Sequence, residues 1–179
     1  MALVERVAAP DDLVVARIES APFAENTYVV HRAGIRECLV VDPGFEPDAV
    51  VDWIEERGLA PVYYGGPVQT DRVSLADLTL PVTTIPGHSR GHVVFRVEDC
   101  APPVVFGGDV LFRGSIGRTD FPDGDFAALV AGIRRGLYTL PDETIVFPGH
   151  GDSTTVGHER RHNPFVSAQE SASWRPGAD

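Results

Sequence analysis

Short apolar runs, each ended by Gly, Pro or a polar turn residue, recur along most of the chain. The runs with a strand pattern cover residues 13–19, 27–30, 38–41, 80–85, 93–97, 104–106 and 144–147. Short apolar runs bounded by turn residues are typical of β-strands. The pattern therefore predicts a fold in which strands dominate.

Three further segments carry a helical pattern. The first helix is predicted to begin at Pro47 and to end before Gly58, because proline suits a first helical turn and glycine a left-handed cap. The second begins after Asp125, a good N-cap residue, and ends near Gly136, and the third spans residues 156–162. Because helices intervene among many strands, the predicted class is α+β, with layered sheets covered by helices.

Composition narrows the class of protein. Asp and Glu number 26 against 15 basic residues, so the net charge is −11, which argues against nucleic-acid and membrane-surface partners. The length of 179 residues suits one domain. The N-terminal residues lack a signal-peptide pattern, and the only two cysteines, Cys38 and Cys100, lack metal-binding spacing. We therefore expect a cytoplasmic protein with two buried thiols.

Three predicted strands end at glycine or proline, and a side chain that can bind metal follows each of these ends. His88 follows Pro86 and Gly87, Asp109 follows two glycines, and His150 follows Pro148 and Gly149. Side chains on strand-end loops can converge at one edge of a sheet. Two histidines and one carboxylate suit Zn²⁺, Fe²⁺ or Mn²⁺. These three residues are the candidate metal ligands.

A rival metal motif lies in the third predicted helix. His158, Glu159 and His162 match the pattern in which two histidines bind zinc and the glutamate acts as the base. However, Asn163 and Pro164 end that helix at once, and two neighbouring arginines would repel a divalent cation. A solvated helix face is the favoured interpretation of this motif.

Several segments resemble the metallo-β-lactamase superfamily, in particular its glyoxalase II-like (hydroxyacylglutathione hydrolase-like) branch. The similar segments, in the family's order, are residues 23–28, 41–44, 86–92, 106–109, 114–121, 147–151, 155–160 and 163–165. The resemblance implies one domain over residues 13–166, with residues 1–12 and 167–179 as loose termini. It also implies that the third helix is structural.

The resemblance implies a four-layer αββα sandwich with a dinuclear metal site at one sheet edge. In that arrangement His88 binds the first metal, Asp109 bridges both and His150 binds the second. The implied cofactors are one or two Zn²⁺ ions, with Fe²⁺ or Mn²⁺ as alternatives. The implied reaction is hydrolysis of a small thioester or ester by a metal-bound hydroxide.

One family motif is missing from this chain. The family carries His-x-His-x-Asp-His after the strand that follows the first helix, but no histidine occurs here between His31 and His88. The strand, its loop and the next helix are all expected to be lost, and four metal ligands are lost with them. Each metal then keeps two ligands and is held weakly. Strand edges exposed by such shortening could be covered in a homodimer.

The missing motif leaves other functions open. The fold could persist as a non-catalytic binding module. A mononuclear site could form if His88, Asp109 and His150 moved onto one ion. Persulfide dioxygenases of the superfamily use a single iron and carry a segment like residues 117–121, so a related iron enzyme is a further alternative.

Overall fold

A computed structural model describes residues 3–7, 12–62 and 71–167 of the chain. The helices are α1 Pro47–Glu56, α2 Phe126–Gly136 and α3 Val156–His162. The strands are β1 Leu3–Val7, β2 Leu13–Ser20, β3 Glu25–Arg32, β4 Glu37–Val41, β5 Ala60–Pro61, β6 Arg72–Leu75, β7 Leu78–Thr84, β8 Val93–Val97, β9 Val104–Gly108, β10 Leu111–Phe112, β11 Ser115–Ile116, β12 Ile145–Pro148 and β13 Thr154–Thr155. The α+β prediction is confirmed.

The first sheet contains β1 to β5 in chain order. The first four strands pair antiparallel, and β5 pairs parallel with β4 through two residues only. The sequence predicted residues 1–12 as a loose terminus, but five of them form β1, which corrects that expectation for this stretch. Pairing with β2 creates this strand, and a long-range partner of that kind leaves little signal in the local sequence.

The second sheet has the order β13-β12-β9-β8-β7-β6. β9 and β12 are parallel, whereas β8 is antiparallel to both of its neighbours, β7 and β9. β7, β9 and β12 therefore run in the same direction. Their carboxyl ends lie at one edge of the sheet, and this edge carries the three predicted metal ligands.

The core is divided into the three interfaces of a four-layer sandwich. The two sheets face each other across apolar side chains that include Tyr28, Leu80 and Phe106. α1 covers the outer face of the first sheet with Trp53, and α2 covers the outer face of the second with Leu129. Burial of these faces is the main stabilising contribution, and it places one helix layer outside each sheet.

Some elements were not predicted, and β6 shows why. β6 and β7 are joined by Ala76 and Asp77, which have φ angles of 51° and 55°. Two-residue hairpin turns need such left-handed angles and usually signal themselves by Asn-Gly or Asp-Gly. Here neither residue is glycine, so the hairpin is invisible in the sequence. Residues 63–70 and 168–179, which include most of the shortened region and the predicted loose tail, lie outside the described residues.

A buried carboxylate joins α3 to the loop that follows Asp109. Glu159 is fully buried and accepts hydrogen bonds from the Thr154 hydroxyl at 2.5 Å, the Asn163 amide at 2.8 Å and the Gly114 backbone N–H at 2.9 Å. A buried carboxylate is tolerated only when it is paired in this way. The network holds the β10–β11 hairpin in place beside the sheet edge.

Replacing Glu159 by alanine is expected to lower the free energy of unfolding by about 3 kcal/mol, because three buried donors lose their acceptor. The measurement is urea denaturation followed by circular dichroism. The matched control is Glu143→Ala at an exposed glutamate, which should change the free energy by about 0.5 kcal/mol or less. Equal effects of the two substitutions would contradict the structural role of the network.

Candidate metal centre

The structure brings the three predicted ligands together at the carboxyl ends of β7, β9 and β12. Asp109 follows β9 directly, His150 lies two residues after β12, and His88 lies four residues after β7. Gly108 of β9 is in register with Pro148 of β12, so Asp109 and His150 leave the sheet side by side. The convergence inferred from strand-end loops is therefore found.

The carboxylate of Asp109 lies between the two imidazoles. His88 Nε2 is 3.5 Å from Asp109 Oδ2, and His150 Nε2 is 3.5 Å from Asp109 Oδ1. Each histidine thus faces a different oxygen of the same carboxylate. The arrangement has two half-sites, each made of one imidazole nitrogen and one carboxylate oxygen.

Backbone carbonyls fix the orientation of both rings. His88 Nδ1 lies 3.0 Å from the Arg118 carbonyl oxygen, and His150 Nδ1 lies 3.2 Å from that of Ala24. Because a carbonyl oxygen only accepts, Nδ1 is the protonated nitrogen of each ring, and a neutral ring keeps a lone pair at Nε2. That lone pair then faces a carboxylate oxygen, and either a proton on Nε2 or a cation between the two atoms removes the repulsion of the two acceptors. The donor chemistry and ring orientation of each half-site therefore fit a divalent metal ion.

The number of donors is low. Within residues 12–62 and 71–167, no three His, Cys, Asp or Glu side chains converge closely enough to hold one metal ion. Catalytic zinc sites usually have three protein ligands and an open position. Metal ligation by His88, Asp109 and His150 thus stays a prediction. In this geometry each metal ion would have two protein donors, one imidazole nitrogen and one oxygen of Asp109.

Two more carboxylates, those of Asp42 and Glu25, add negative charge to this edge, and no role was predicted for either. Asp42 follows β4 in a left-handed conformation with φ 53°, and Thr27 anchors its turn by donating its hydroxyl to the Asp42 carbonyl at 2.8 Å. Burial of the carboxyl group raises the pKa of Asp42 to about 6, and the charges of Asp109 and Glu25 add to this. The residue as a whole keeps access to solvent. Asp-Pro-Gly is a typical turn sequence, so the sequence alone did not indicate that the Asp42 carboxylate lies beside the candidate metal ligands.

His92 is a third histidine at the same edge. Its ring makes an edge-on contact with the ring of His88, with centroids 5.8 Å apart, and its Nε2 lies 3.4 Å from the Gly107 carbonyl oxygen. Burial is the largest influence on the pKa of His92 and lowers it, which favours the neutral ring. In the sequence, the only indication of this contact is that His92 lies four residues after His88.

Residues 118–121, which follow the β10–β11 hairpin, contact the His88 ring. Phe121 packs edge-on against the His88 ring with centroids 5.4 Å apart, and the Arg118 guanidinium lies 4.4 Å above the Phe121 ring. Asp120 accepts two hydrogen bonds from Arg118, at 2.6 and 2.7 Å. Packing by Phe121 and the carbonyl of Arg118 together fix the orientation of the His88 ring.

The rival motif in α3 lacks a free base. Glu159, which would have to act as the base, is fully buried and bonded to three donors, whereas His158 and His162 lie on the exposed side of the helix. A carboxylate engaged in this way is a structural group. This agrees with the interpretation of α3 as a structural helix.

Glycines allow the loops to close around Asp109. A Cβ at Gly149 would collide with Oδ1 of Asp109, and a Cβ at Gly117 would collide with the Asp109 carbonyl oxygen. Gly108 has φ 47°, and a Cβ there would lie 2.7 Å from His92 Nε2. The backbone contact at Gly117 and the positive φ of Gly108 favour glycine at these two positions, and at Gly149 the Asp109 side chain would have to shift.

Comparison with known proteins identifies the family. Residues 50–150 match the sequence profile described as the metallo-beta-lactamase superfamily. The probable metallo-hydrolase YqgX of Bacillus subtilis is 30% identical over 207 aligned positions, which cover 84% of this chain and 96% of YqgX. The chain therefore belongs to the metallo-beta-lactamase superfamily. The YqgX alignment is longer than the 179 residues of this chain, so YqgX carries residues that this chain lacks.

Two further matches agree with this assignment. Hydroxyacylglutathione hydrolase GloC of Haemophilus influenzae is 43% identical over 97 residues, which cover 54% of this chain and 45% of GloC. The crystal structure of the BLEG-1 B3 metallo-beta-lactamase superposes with a TM-score of 0.76 at 28% identity, covering 84% of this chain and 98% of BLEG-1. The chain spans about half the length of several of the curated relatives it matches. No helix within the described ranges is long and apolar enough to span a membrane.

Replacing Gly149 by alanine is expected to lower the melting temperature by about 2–10 °C, because the new methyl group overlaps the Asp109 carboxylate. Differential scanning calorimetry measures this change. The matched control is Gly91→Ala, since a Cβ at Gly91 meets nothing within 4 Å. If Gly91→Ala lowered the melting temperature as much as Gly149→Ala, the close packing around Asp109 would not be the cause of the destabilisation.

Proposed function

We propose that the chain is a metal-dependent hydrolase of the glyoxalase II-like type that cleaves a small thioester or ester. In this proposal His88, Asp109 and His150 bind divalent ions, one on each side of the Asp109 carboxylate. The single observation that carries the proposal is the pair of imidazole Nε2 atoms, each 3.5 Å from a different oxygen of one carboxylate.

The charge of this edge supports binding of cations. The charges of Asp109 and Glu25 act on Asp42, and they add to burial in raising its pKa. A divalent cation among these carboxylates would offset their charge. The half-buried position of Asp109, with its side chain 25% exposed, keeps the site open to a small molecule.

Each residue of this edge has a defined part in the proposed reaction. When bound, a divalent ion supplies Lewis acidity toward a carbonyl oxygen and lowers the pKa of water. The carbonyls of Arg118 and Ala24 hold the His88 and His150 rings so that both Nε2 atoms face inward. Asp109 offers one oxygen to each half-site, and Phe121 restricts rotation of the His88 ring. The residues thus position the reacting groups.

The donor count favours a second candidate function. Two protein ligands per ion fall short of the usual three, and this points to a non-catalytic module that keeps the fold for binding. The two functions differ in a measurable way, since only the hydrolase requires turnover after metal loading.

The zinc affinity of the purified chain is expected to fall by about tenfold or more in Asp109→Asn, which removes the charge shared by both half-sites. His88→Ala should halve the zinc stoichiometry, because it removes one half-site. Competition with a chromophoric chelator measures both quantities. His162→Ala is the matched histidine control on α3, and an equal loss of zinc in that variant would place the metal on the rival motif.

Turnover of an acyl thioester of N-acetylcysteamine is expected only after loading with Zn²⁺, Fe²⁺ or Mn²⁺, and it should be lost on chelation and in Asp109→Asn. A thiol reagent can follow the reaction, because Cys38 and Cys100 are both buried and contribute little background. Absence of thioester and ester turnover with all three metals, in protein that binds zinc, would favour the non-catalytic module.

A further inference from the structure

A cavity of about 680 Å³ lies at the free edge of the first sheet. β5 pairs only with Glu37 and Cys38, so from Leu39 onward the outer edge of β4 has no strand partner among the described residues. α1 and β4 form one wall, and β6, β7 and β8 form the other. The volume is within the usual range of small-molecule sites.

The described residues that line the cavity are almost all aliphatic, together with one phenylalanine. Val41 on β4, Leu75 on β6 and Phe95 on β8 border it and are only partly buried, although each packs against the core between the sheets. Water in contact with such a surface is unfavourable, and an apolar group that replaces it gains free energy. The lining is thus suited to a hydrocarbon.

Asp42 connects the cavity to the candidate metal centre. It is the single ionisable residue of the described lining, and the negative charge of Asp109 contributes to raising the pKa of its carboxyl group. A Cβ at Gly108, the residue before Asp109, would lie 3.4 Å from Asp42 Oδ2. One end of the cavity therefore opens beside the edge where Asp109, His88 and His150 meet.

We infer that this cavity binds the aliphatic acyl chain of the substrate, with the ester or thioester group at the Asp42 end. The inference rests on the proposed hydrolase function and adds the substrate class, an acyl chain of medium length. The described lining offers no cation for an anionic ligand, and Asp42 would repel one. A neutral head group on a flexible hydrocarbon is the ligand that matches both ends of the cavity.

The test uses hexan-1-ol, octan-1-ol and decan-1-ol as neutral probes on the purified chain without added metal. Isothermal titration calorimetry should show the affinity rising about fourfold with each added methylene group, since each one is removed from water. Decanoate should bind more weakly than decan-1-ol because its carboxylate would lie near Asp42. Absence of binding, or an affinity independent of chain length, would overturn the inference.

A matched pair of variants tests the location. Val51 borders the cavity from α1 and is 48% exposed, so Val51→Trp can fill the cavity with little risk to folding. It should weaken decan-1-ol binding by at least about tenfold, because several methylene groups lose their site. Ile35→Trp, at a 37% exposed position outside the lining, should leave the affinity unchanged. Equal weakening in both variants would place the probe elsewhere.

The outcomes separate this inference from the proposed function. Binding of decan-1-ol without thioester turnover in any metal-loaded form would support the cavity and contradict the hydrolase. Turnover of acetyl and decanoyl thioesters with equal KM, together with no binding of decan-1-ol, would support the hydrolase and contradict the acyl site.

Discussion

The arrangement of the site depends on the Asp109 carboxylate being shared by two imidazoles. The parallel pairing of β9 with β12 sets Asp109 beside His150, and the direction of β7 brings His88 to the same edge. Glycines at positions 117 and 149 let backbone pass directly beside Asp109. Fixed carbonyl partners then turn each Nε2 toward one carboxylate oxygen, so the sheet topology determines the electrostatics of the site.

One structural change links the low donor count to the cavity. The strand after α1 has only two paired residues, and the described chain brings no further donor from that region to the edge. Among the described residues β4 has no strand partner beyond Cys38, and apolar side chains around that edge line a cavity. The described cavity is apolar and ends beside the candidate metal ligands, and this is why the proposed substrate carries a hydrocarbon chain.

Much of the fold was predictable because its signals are local. The apolar runs and the Asp125 cap predicted the longer strands and α2, and strand ends next to glycine predicted the meeting of His88, Asp109 and His150. The features that were missed depend on distant partners. Among the described residues β1 pairs with β2, and two carboxylates that are remote in sequence add to the effect of burial on the pKa of Asp42. Pairing and charge proximity of this kind follow from topology, which a local pattern does not contain.

The central claim is that Asp109 divides its two oxygens between two separate half-sites. Anomalous diffraction at the zinc edge from zinc-soaked crystals tests it most directly. The account predicts two peaks, one between His88 Nε2 and Asp109 Oδ2 and the other between His150 Nε2 and Asp109 Oδ1. A single peak shared by all three side chains, or a peak at His158 and His162, would contradict it.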